Sequence, residues 1–282
     1  MIIGVVSKED NPEALDLSAS VVEWMGERGF PCLMEDHIAG HVGRDRTPDV
    51  WSKSDVLVVI GGDGTILRAV RMSQPREVPI LGVHMGYLGF LTEVTGEEIG
   101  DALARLVSGN YVLERRTMLQ VRLVREGEEI ASHCVINDVV IAKGALARII
   151  HMEVWTDDVF ITSYWGDGLI VCTPTGSTAY NLASGGPIVH PSVSAVVLNP
   201  ICPHVLSNRA IVLPDNGDIT VVVRSGKEAD SIYLSLDGQR GHTLLAGDMI
   251  RVGRADVGAV MVRLATRNYF EVLRNKLKWQ ER

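Results

Sequence analysis

Short unbroken apolar runs recur through the first third of the chain. Residues 2–6, 56–60 and 80–83 are each four or five residues long and rich in β-branched side chains. That is the pattern of strands buried on both faces of a parallel sheet. Between them the apolar positions shift to helical spacing. Leu15, Ala19, Val22 and Met25 predict a helix over residues 13–28 that stops at Gly29. Ile66, Leu67, Ala69, Val70 and Met72 predict another directly after the run 56–60, and Ile99, Leu103, Leu106 and Val107 a third over 97–108, ended by Gly109. Leu33 and Met34 read as a weak strand. Residues 37–48 lack periodicity and read as an exposed loop able to order over a ligand. Strands alternating with helices make βαβ units, hence an α/β N-terminal domain with a parallel sheet.

From Tyr111 the period changes to two. Leu119, Val121 and Leu123 alternate with Gln120 and Arg122, and Gly127 leads into residues 130–143, a hairpin signature. Alternation returns over 151–155, 160–164, 169–173, 196–198, 219–223, 232–236 and 249–252. The division expected is therefore an α/β domain over residues 1–110 and a mostly β C-terminal domain over 111–259. Residues 261–265 read as a last strand. Residues 269–279 read as an amphipathic helix carrying Phe270, Leu273 and Leu277.

Composition narrows the function. The 282 residues are 46% hydrophobic and 22% charged, as in ordinary globular proteins, and the net charge of −8 with no basic run excludes a general nucleic-acid binder. No apolar run approaches the ~18 residues of a membrane span. With no basic segment ahead of the first strand, a cytoplasmic location is expected. Cys32, Cys134, Cys172 and Cys202 are scattered and read as buried free thiols rather than a zinc site or disulfide framework.

The chemistry concentrates in glycine-rich turns. Gly61, Gly62, Asp63, Gly64 and Thr65 sit where a buried strand passes into a helix, where backbone amides can face a phosphate. A carboxylate there is repelled by phosphate unless it holds a metal or accepts a proton from an attacking hydroxyl; otherwise Asp63 caps the helix. The motif is neither a Walker A loop nor a GxGxxG fingerprint. A second glycine-rich turn spans 82–91. Asn137 and Asp138 lie side by side in an apolar strand, and unpartnered burial would cost each ~1 to 3 kcal/mol, so backbone, water or ligand must satisfy them. Asp167 occupies a glycine-flanked turn. Thr175, Gly176, Ser177 and Thr178 precede residues 179–183 as a helix start with free amides. Asp237, Gly238 and Gln239 make a β-turn signal, and a lone His204 is most simply structural.

GGDGT resembles the phosphate-site motif of NAD kinases, diacylglycerol-type lipid kinases and phosphofructokinases. Three further stretches favour the first. Gly86, Gly89 and Phe90 match a G-x-x-G-F element of NAD kinases. DGLIVCTPTGSTAYNLASGGPIV, residues 167–189, is similar to their NAD-binding signature nearly end to end, and residues 199–209 resemble their P-x-x-P-H-x-L-S-x-R segment. The resemblance implies transfer of phosphate from ATP, or polyphosphate, to the 2′-hydroxyl of the adenosine ribose of NAD, giving NADP. Mg²⁺ or another divalent metal would accompany the donor. It implies Asp63 as the catalytic base and Gly61, Gly62, Gly64 and Thr65 as donor-phosphate ligands. NAD would be bound by Gly86, Gly89, Phe90, Asn137, Asp138, Asp167, Thr175, Thr178, Ala179, Tyr180, Asn181 and His204, and no protein residue is expected as a metal ligand. It further implies a homodimer or homotetramer, and a tail over 260–282 that completes the first domain. Two departures stand out: Asp138 occupies a position where the family carries Glu, and Trp165 one where some members carry Arg. A lipid or sugar kinase would not explain the 167–189 run. A binding-only sensor would not need Asp63, and a dehydrogenase would be expected to carry GxGxxG.

Overall fold

Strands β1 (Ile3–Ser7), β3 (Val56–Ile60) and β4 (Ile80–His84) are buried at every position, as unbroken apolar runs require when helices cover both faces of a sheet. The computed structural model describes residues 1–46, 49–86, 88–144, 149–205, 207–224, 232–264 and 268–279. It divides into one unit of Met1–Arg115 with Ala259–Arg282 and a second of Arg116–Gly258; the sequence reading drew these borders at 110/111 and 259/260.

In the first unit the parallel strands run in the order β2 (Cys32–Met34), β1, β3, β4, with β5 (Val94–Thr95) beside β4. α1 (Pro12–Glu27) starts where the Asn11 side chain accepts the Ala14 N–H, and buries Ala14, Val21, Val22 and Met25. α5 (Ile99–Val107) buries Leu103 and Leu106. The strand order reverses between β1 and β3. The loops leaving their carboxyl ends, after Ser7 and at 61–62, thus flank the crevice where open α/β sheets hold ligands.

The expected open loop over 37–48 is corrected in part. Residues 36–41 form α2 (Asp36–His41), whose Ile38 and Ala39 are buried, and α3 (Val50–Lys53) follows. Fewer than two turns of helix leave no periodicity to detect, and tertiary burial holds what propensity does not. Thr47 and Pro48 lie outside the described residues.

The second unit packs two sheets face to face. One contains β9 (Ile150–Thr156), β10 (Val159–Gly166), β14 (Ile219–Val223) and the start of a long strand Met249–Arg263, together with the hairpin of β6 (Val112–Arg125) and β7 (Glu128–Val135). The other runs β13 (Ile211–Pro214), β12 (Ala195–Ile201), β11 (Gly168–Cys172), β8 (Asp138–Lys143), β15 (Ile232–Leu236), β16 (Arg240–Leu244), antiparallel throughout. Alternate residues of both, among them Leu119, Val139, Met152, Leu169 and Val221, form the core between them. The outer side of β8, β11 and β12 is covered as well, with Val140, Ile170 and Val197 packed beside Val189. That second cover explains why β11 is apolar throughout instead of alternating.

The predicted strand pair after Gly127 is also corrected. β7 pairs with β6, but residues 136–137 break the run and β8 enters the other sheet. The long strand Met249–Arg263, β17, joins the periodic segments expected at 249–252 and 261–265, and Ala265 lies outside the described residues. It passes the 258/259 border, after which Met261 pairs with Ile80 of β4. There Arg263 bonds Glu93 at 2.8 Å and Glu114 at 2.6 Å, while the Leu264 N–H donates to Glu93. α7 (Tyr269–Leu277) begins with a capping box of Asn268 and Glu271. The cysteines are free but not uniformly buried: Cys172 is buried, Cys32 and Cys134 are intermediate, and Cys202 is exposed.

Candidate functional site

The first group of site residues surrounds the turn between β3 and α4 (Asp63–Ser73). Gly62 is the residue that caps α4 by backbone alone, and Asp63 is the first residue inside the helix. The carboxylate of Asp63 does not cap its own helix. It reaches the other glycine-rich turn instead, accepting the Phe90 N–H at Oδ2 and the Leu91 N–H at Oδ1, both at 3.0 Å. Gly89 permits this approach, because a Cβ there would overlap Asp63 Oδ1. The Gly89 N–H donates to Thr92 Oγ1 at 2.8 Å and fixes the turn from the other side. Two motifs 26 residues apart are thereby one constellation. Each Asp63 oxygen accepts one backbone bond, which leaves about two of its four lone-pair directions for a ligand. Gly61 sits against the buried Thr65, Gly62 and Gly64 are exposed, and Gly86, also exposed, takes φ +94° beyond β4.

The second group sits at the ends of β8 and β11 in the other unit. The break at 136–137 is held by Asp237 of the turn between β15 and β16. Its carboxylate accepts three backbone N–H groups, from Ile136 at 3.0 Å, Asn137 at 2.8 Å and Asp138 at 3.0 Å. The sequence showed Asp237 only as a turn residue; what it missed is this long-range grip, which leaves no trace in residue spacing. Thr173 completes the support, donating through Oγ1 to Ile136 O at 2.5 Å and accepting the Gly176 N–H at 3.0 Å. Gly176 rests directly on the Asn137 main chain; a Cβ there would lie 2.7 Å from Asn137 Cα and closer to its carbonyl. Asn137, Asp138, Thr175 and Thr178 therefore gather at one end of the sheet, with Thr178 Oγ1 donating to Thr175 O at 3.2 Å.

The helix after this turn is short. α6 (Tyr180–Ala183) follows a 3₁₀ turn at Gly176–Thr178, with Ala179 between them and Tyr180 45% exposed. Asn181 is fully buried, and its amide donates to Ser177 O and Pro187 O, both at 3.0 Å, which folds residues 182–187 back on the turn. Its Oδ1 has no partner among the described residues.

Asp167 lies elsewhere. The register pairs Cys172 with Asp138 and Gly168 with Ala142, so Asp167 is at the opposite end of β11, about 17 Å away at ~3.4 Å per residue. There it bonds Lys143 Nζ at 2.9 Å. The His204 N–H donates to Trp165 O at 2.8 Å, which brings exposed His204 to this same end. Trp165 stacks on His151 with centroids 4.0 Å apart. An elongated ligand is needed to touch both ends.

Asp138 is 5% exposed, and burial, with repulsion from Asp237 second, pushes its carboxyl up to about 7. The folded chain therefore holds a proton there that the unfolded chain has lost. Its contribution to stability is fully present below pH ~4 and falls as pH rises from about 4 to about 7. Asp138→Asn is expected to remove that slope: urea unfolding at pH 5 and pH 8 should show the variant gaining on the parent at the higher pH. Parallel pH dependences of the two proteins would refute the assignment.

Comparison with known proteins gives consistent results over both units. A family model described as the ATP-NAD kinase N-terminal domain matches residues 3–111, and one described as the ATP-NAD kinase C-terminal domain matches 136–264. The NAD kinase of Geobacter sulfurreducens is 47% identical over 283 aligned positions, covering 99% of each chain, and that of Geotalea daltonii is 45% identical with the same coverage. Among solved structures, yeast NADH kinase complexed with NADH superposes with a TM-score of 0.89 at 26% identity, over 100% of this chain and 89% of that one. An NAD kinase from Archaeoglobus fulgidus in complex with ATP gives 0.78 at 23% identity over 99% of each, a likeness of fold.

Proposed function

Because the chain belongs to the ATP-NAD kinase family, we propose that this NAD kinase phosphorylates the 2′-hydroxyl of the adenosine ribose of NAD, with ATP as donor, to give NADP. The observation that carries the mechanism is the Asp63 carboxylate, held by two backbone N–H groups at the head of α4. So oriented, it is the group that accepts the proton of the attacking hydroxyl. Gly61, Gly62, Gly64 and Thr65 receive the donor phosphates at the N-terminus of that helix. Asn137, Asp138, Thr175, Thr178 and Tyr180 hold one part of the dinucleotide and Asp167 and His204 another, a division supported by the separation of the two ends of β11. Asn181 closes the 182–187 loop with both amide hydrogens and keeps its Oδ1, unpartnered among the described residues, as an acceptor for the dinucleotide. Gly86, Gly89 and Phe90 serve the dinucleotide through the turn that Asp63 secures.

A divalent cation fits this arrangement as a passenger on the donor. The turn offers a single carboxylate, Asp63, already bonded to the backbone, and Mg²⁺ characteristically takes one or two carboxylates and completes its shell with substrate phosphates and water. Such an ion neutralises charge on the transferring phosphoryl group. We further propose a cytoplasmic homo-oligomer. Supporting this are the free cysteines and the sheet-edge strand β10, which exposes Val159, Phe160 and Trp165. No described helix is long and apolar enough to cross a membrane.

The test is an endpoint assay with NAD or NADH, Mg²⁺ and either ATP or polyphosphate, read by a strictly NADP-dependent dehydrogenase after oxidation of any reduced product. NADP formed with ATP and abolished by EDTA is the expected result. Measurable NAD binding with no NADP from any donor would sink the proposal and favour a sensor.

A further inference from the structure

Two edge strands of the second unit carry histidines at positions where the pattern calls for apolar side chains. β7 borders one sheet and β16 borders the other. Ala131 and Val135 of β7 and Leu244 of β16 pack into the core between the sheets, and strand alternation puts His133 and His242 on those same faces. Their Nε2 atoms meet across the gap at 3.0 Å, and both rings are half-buried.

The neighbouring charge fixes where the protons sit. Arg240 Nη1 lies 3.3 Å from His133 Nδ1. A guanidinium can only donate, so Nδ1 accepts and the ring proton of His133 is on Nε2. That N–H donates to His242 Nε2, which can accept only while His242 is also neutral. One further proton sets N–H against N–H, or an imidazolium against the guanidinium. Burial, then the charges of His242 and Arg240, hold the pKa of His133 below the usual histidine range. The pair's contribution to stability is therefore complete above pH ~6.5 and is lost as the pH falls below it. The surroundings offer no relief: β6 brings Leu119, Val121 and Leu123 to this core, and β15 brings Leu234 and Leu236. Asp237 is engaged by three N–H groups, Asp248 by Arg125 and Glu129 by Arg122. Glu128 lies beside Arg125 at the hairpin tip, and Asp256 of β17 acts on Cys134, which alternation puts on the opposite face of β7. A metal ion is disfavoured, because a ligating imidazole characteristically donates its other ring N–H to an acceptor, and Arg240 stands in that place.

The same two stretches of chain meet again at the dinucleotide site. β7 runs into the 136–138 break, and Asp237, in the turn from β15 to β16, grips its N–H groups. The histidine pair is thus a second fastening between them, ahead of the break on one strand and beyond the turn on the other. We propose that His133 and His242 form a pH-sensitive latch, which when neutral holds β16 against β7 and keeps Asn137 placed for NAD, and which parts on acidification so that NAD affinity falls. This rests on the reading of residues 137–138 as an NAD site, and the experiment separates the two.

In the full-length enzyme without ligand, NMR titration of the His133 ring Cε1–H is expected to place its proton uptake below ~6.5, with the His242 signal moving in the same step. His242→Ala should shift that uptake upward. A double variant, His133→Gln with His242→Gln, can hydrogen-bond across the gap without titrating. By calorimetry, acidification from about pH 8 to about pH 5.5 should weaken NAD binding about fivefold more in the parent than in the double variant, the effect of one hydrogen bond. Asp138 titrates in both proteins, so the difference between them isolates the latch. An unchanged His133 titration in His242→Ala would overturn the proposal, as would equal pH dependence of NAD binding in parent and double variant. So would Zn²⁺ binding that His242→Ala abolishes, which would assign the pair to a metal ion. Linked titration and histidine-dependent NAD binding with no NADP formed would retain the latch and refute the kinase reading; NADP formation with NAD affinity indifferent to both histidines would do the reverse.

Discussion

Asp63→Asn is expected to lower kcat by a factor of about 10² to 10⁴, the usual consequence of removing a general base, while NAD affinity stays within a few fold. The structure adds a complication that the experiment must resolve. Asn keeps one carbonyl oxygen and presents an amino group to whichever of Phe90 N–H or Leu91 N–H loses its acceptor. A donor left facing a donor costs on the order of 1 to 3 kcal/mol where it is buried, so some loosening of the 86–91 turn accompanies the chemical loss. Thermal unfolding and NAD titration measure that loosening, and single-turnover rates measure the chemistry. A fall in turnover with binding and melting temperature nearly intact identifies the base. Proportionate losses in all three would make Asp63 a tether for the second turn and nothing more.

The second large effect is expected at Asp237, a residue with no direct role in the proposed chemistry. Asp237→Ala strands the N–H groups of Ile136, Asn137 and Asp138 together. At about 1 kcal/mol each, somewhat less where water replaces the carboxylate, the loss is ~2 to 3 kcal/mol of stability in the second unit. Asn137 would no longer be held in place, and a misplacement of about 1 Å costs on the order of 100-fold in kcat/KM. Asp237→Asn provides the control, because its oxygen can keep the paired bonds to Asn137 and Asp138 and lose only that to Ile136. Full activity and unchanged urea unfolding in Asp237→Ala would show that water fills the gap and that the carboxylate is dispensable.

These two residues also mark what the sequence could and could not reveal. The turn after β3 was legible because a wholly buried strand has a compositional signature and because glycines punctuate it. The acceptor role of Asp63 was not, since its partners are backbone amides, which every residue but proline carries. The Asn137–Asp138 pair stood out as polar residues in an apolar run, and the break of that run into strands of different sheets went unseen. The cause of the break is Asp237, a hundred residues onward, and contacts at that separation leave no periodic trace. Asp237 itself looked like an ordinary turn former, and it is one: it takes φ +51° ahead of Gly238 at +63°. Its side chain has a second use that local pattern cannot encode. The short helices α2 and α3 escaped for the complementary reason, being held by buried Ile38, Ala39 and Val50 rather than by any propensity of their own. As a result, residues 37–48 read as an exposed loop able to order over a ligand.

The strand β17 imposes an order on biosynthesis. Ribosomes deliver the chain from its amino end, so β1 to β4 emerge early, yet β4 pairs with residue 261. Until that strand is made, β4 lacks that neighbour in the nascent first unit, and Glu93, 5% exposed in the finished fold, lacks the Arg263 guanidinium that neutralises it. The second unit, contiguous from 116 to 258, is synthesised in full before the first can close. A gene truncated ahead of codon 259 would therefore damage the half of the protein that was translated first.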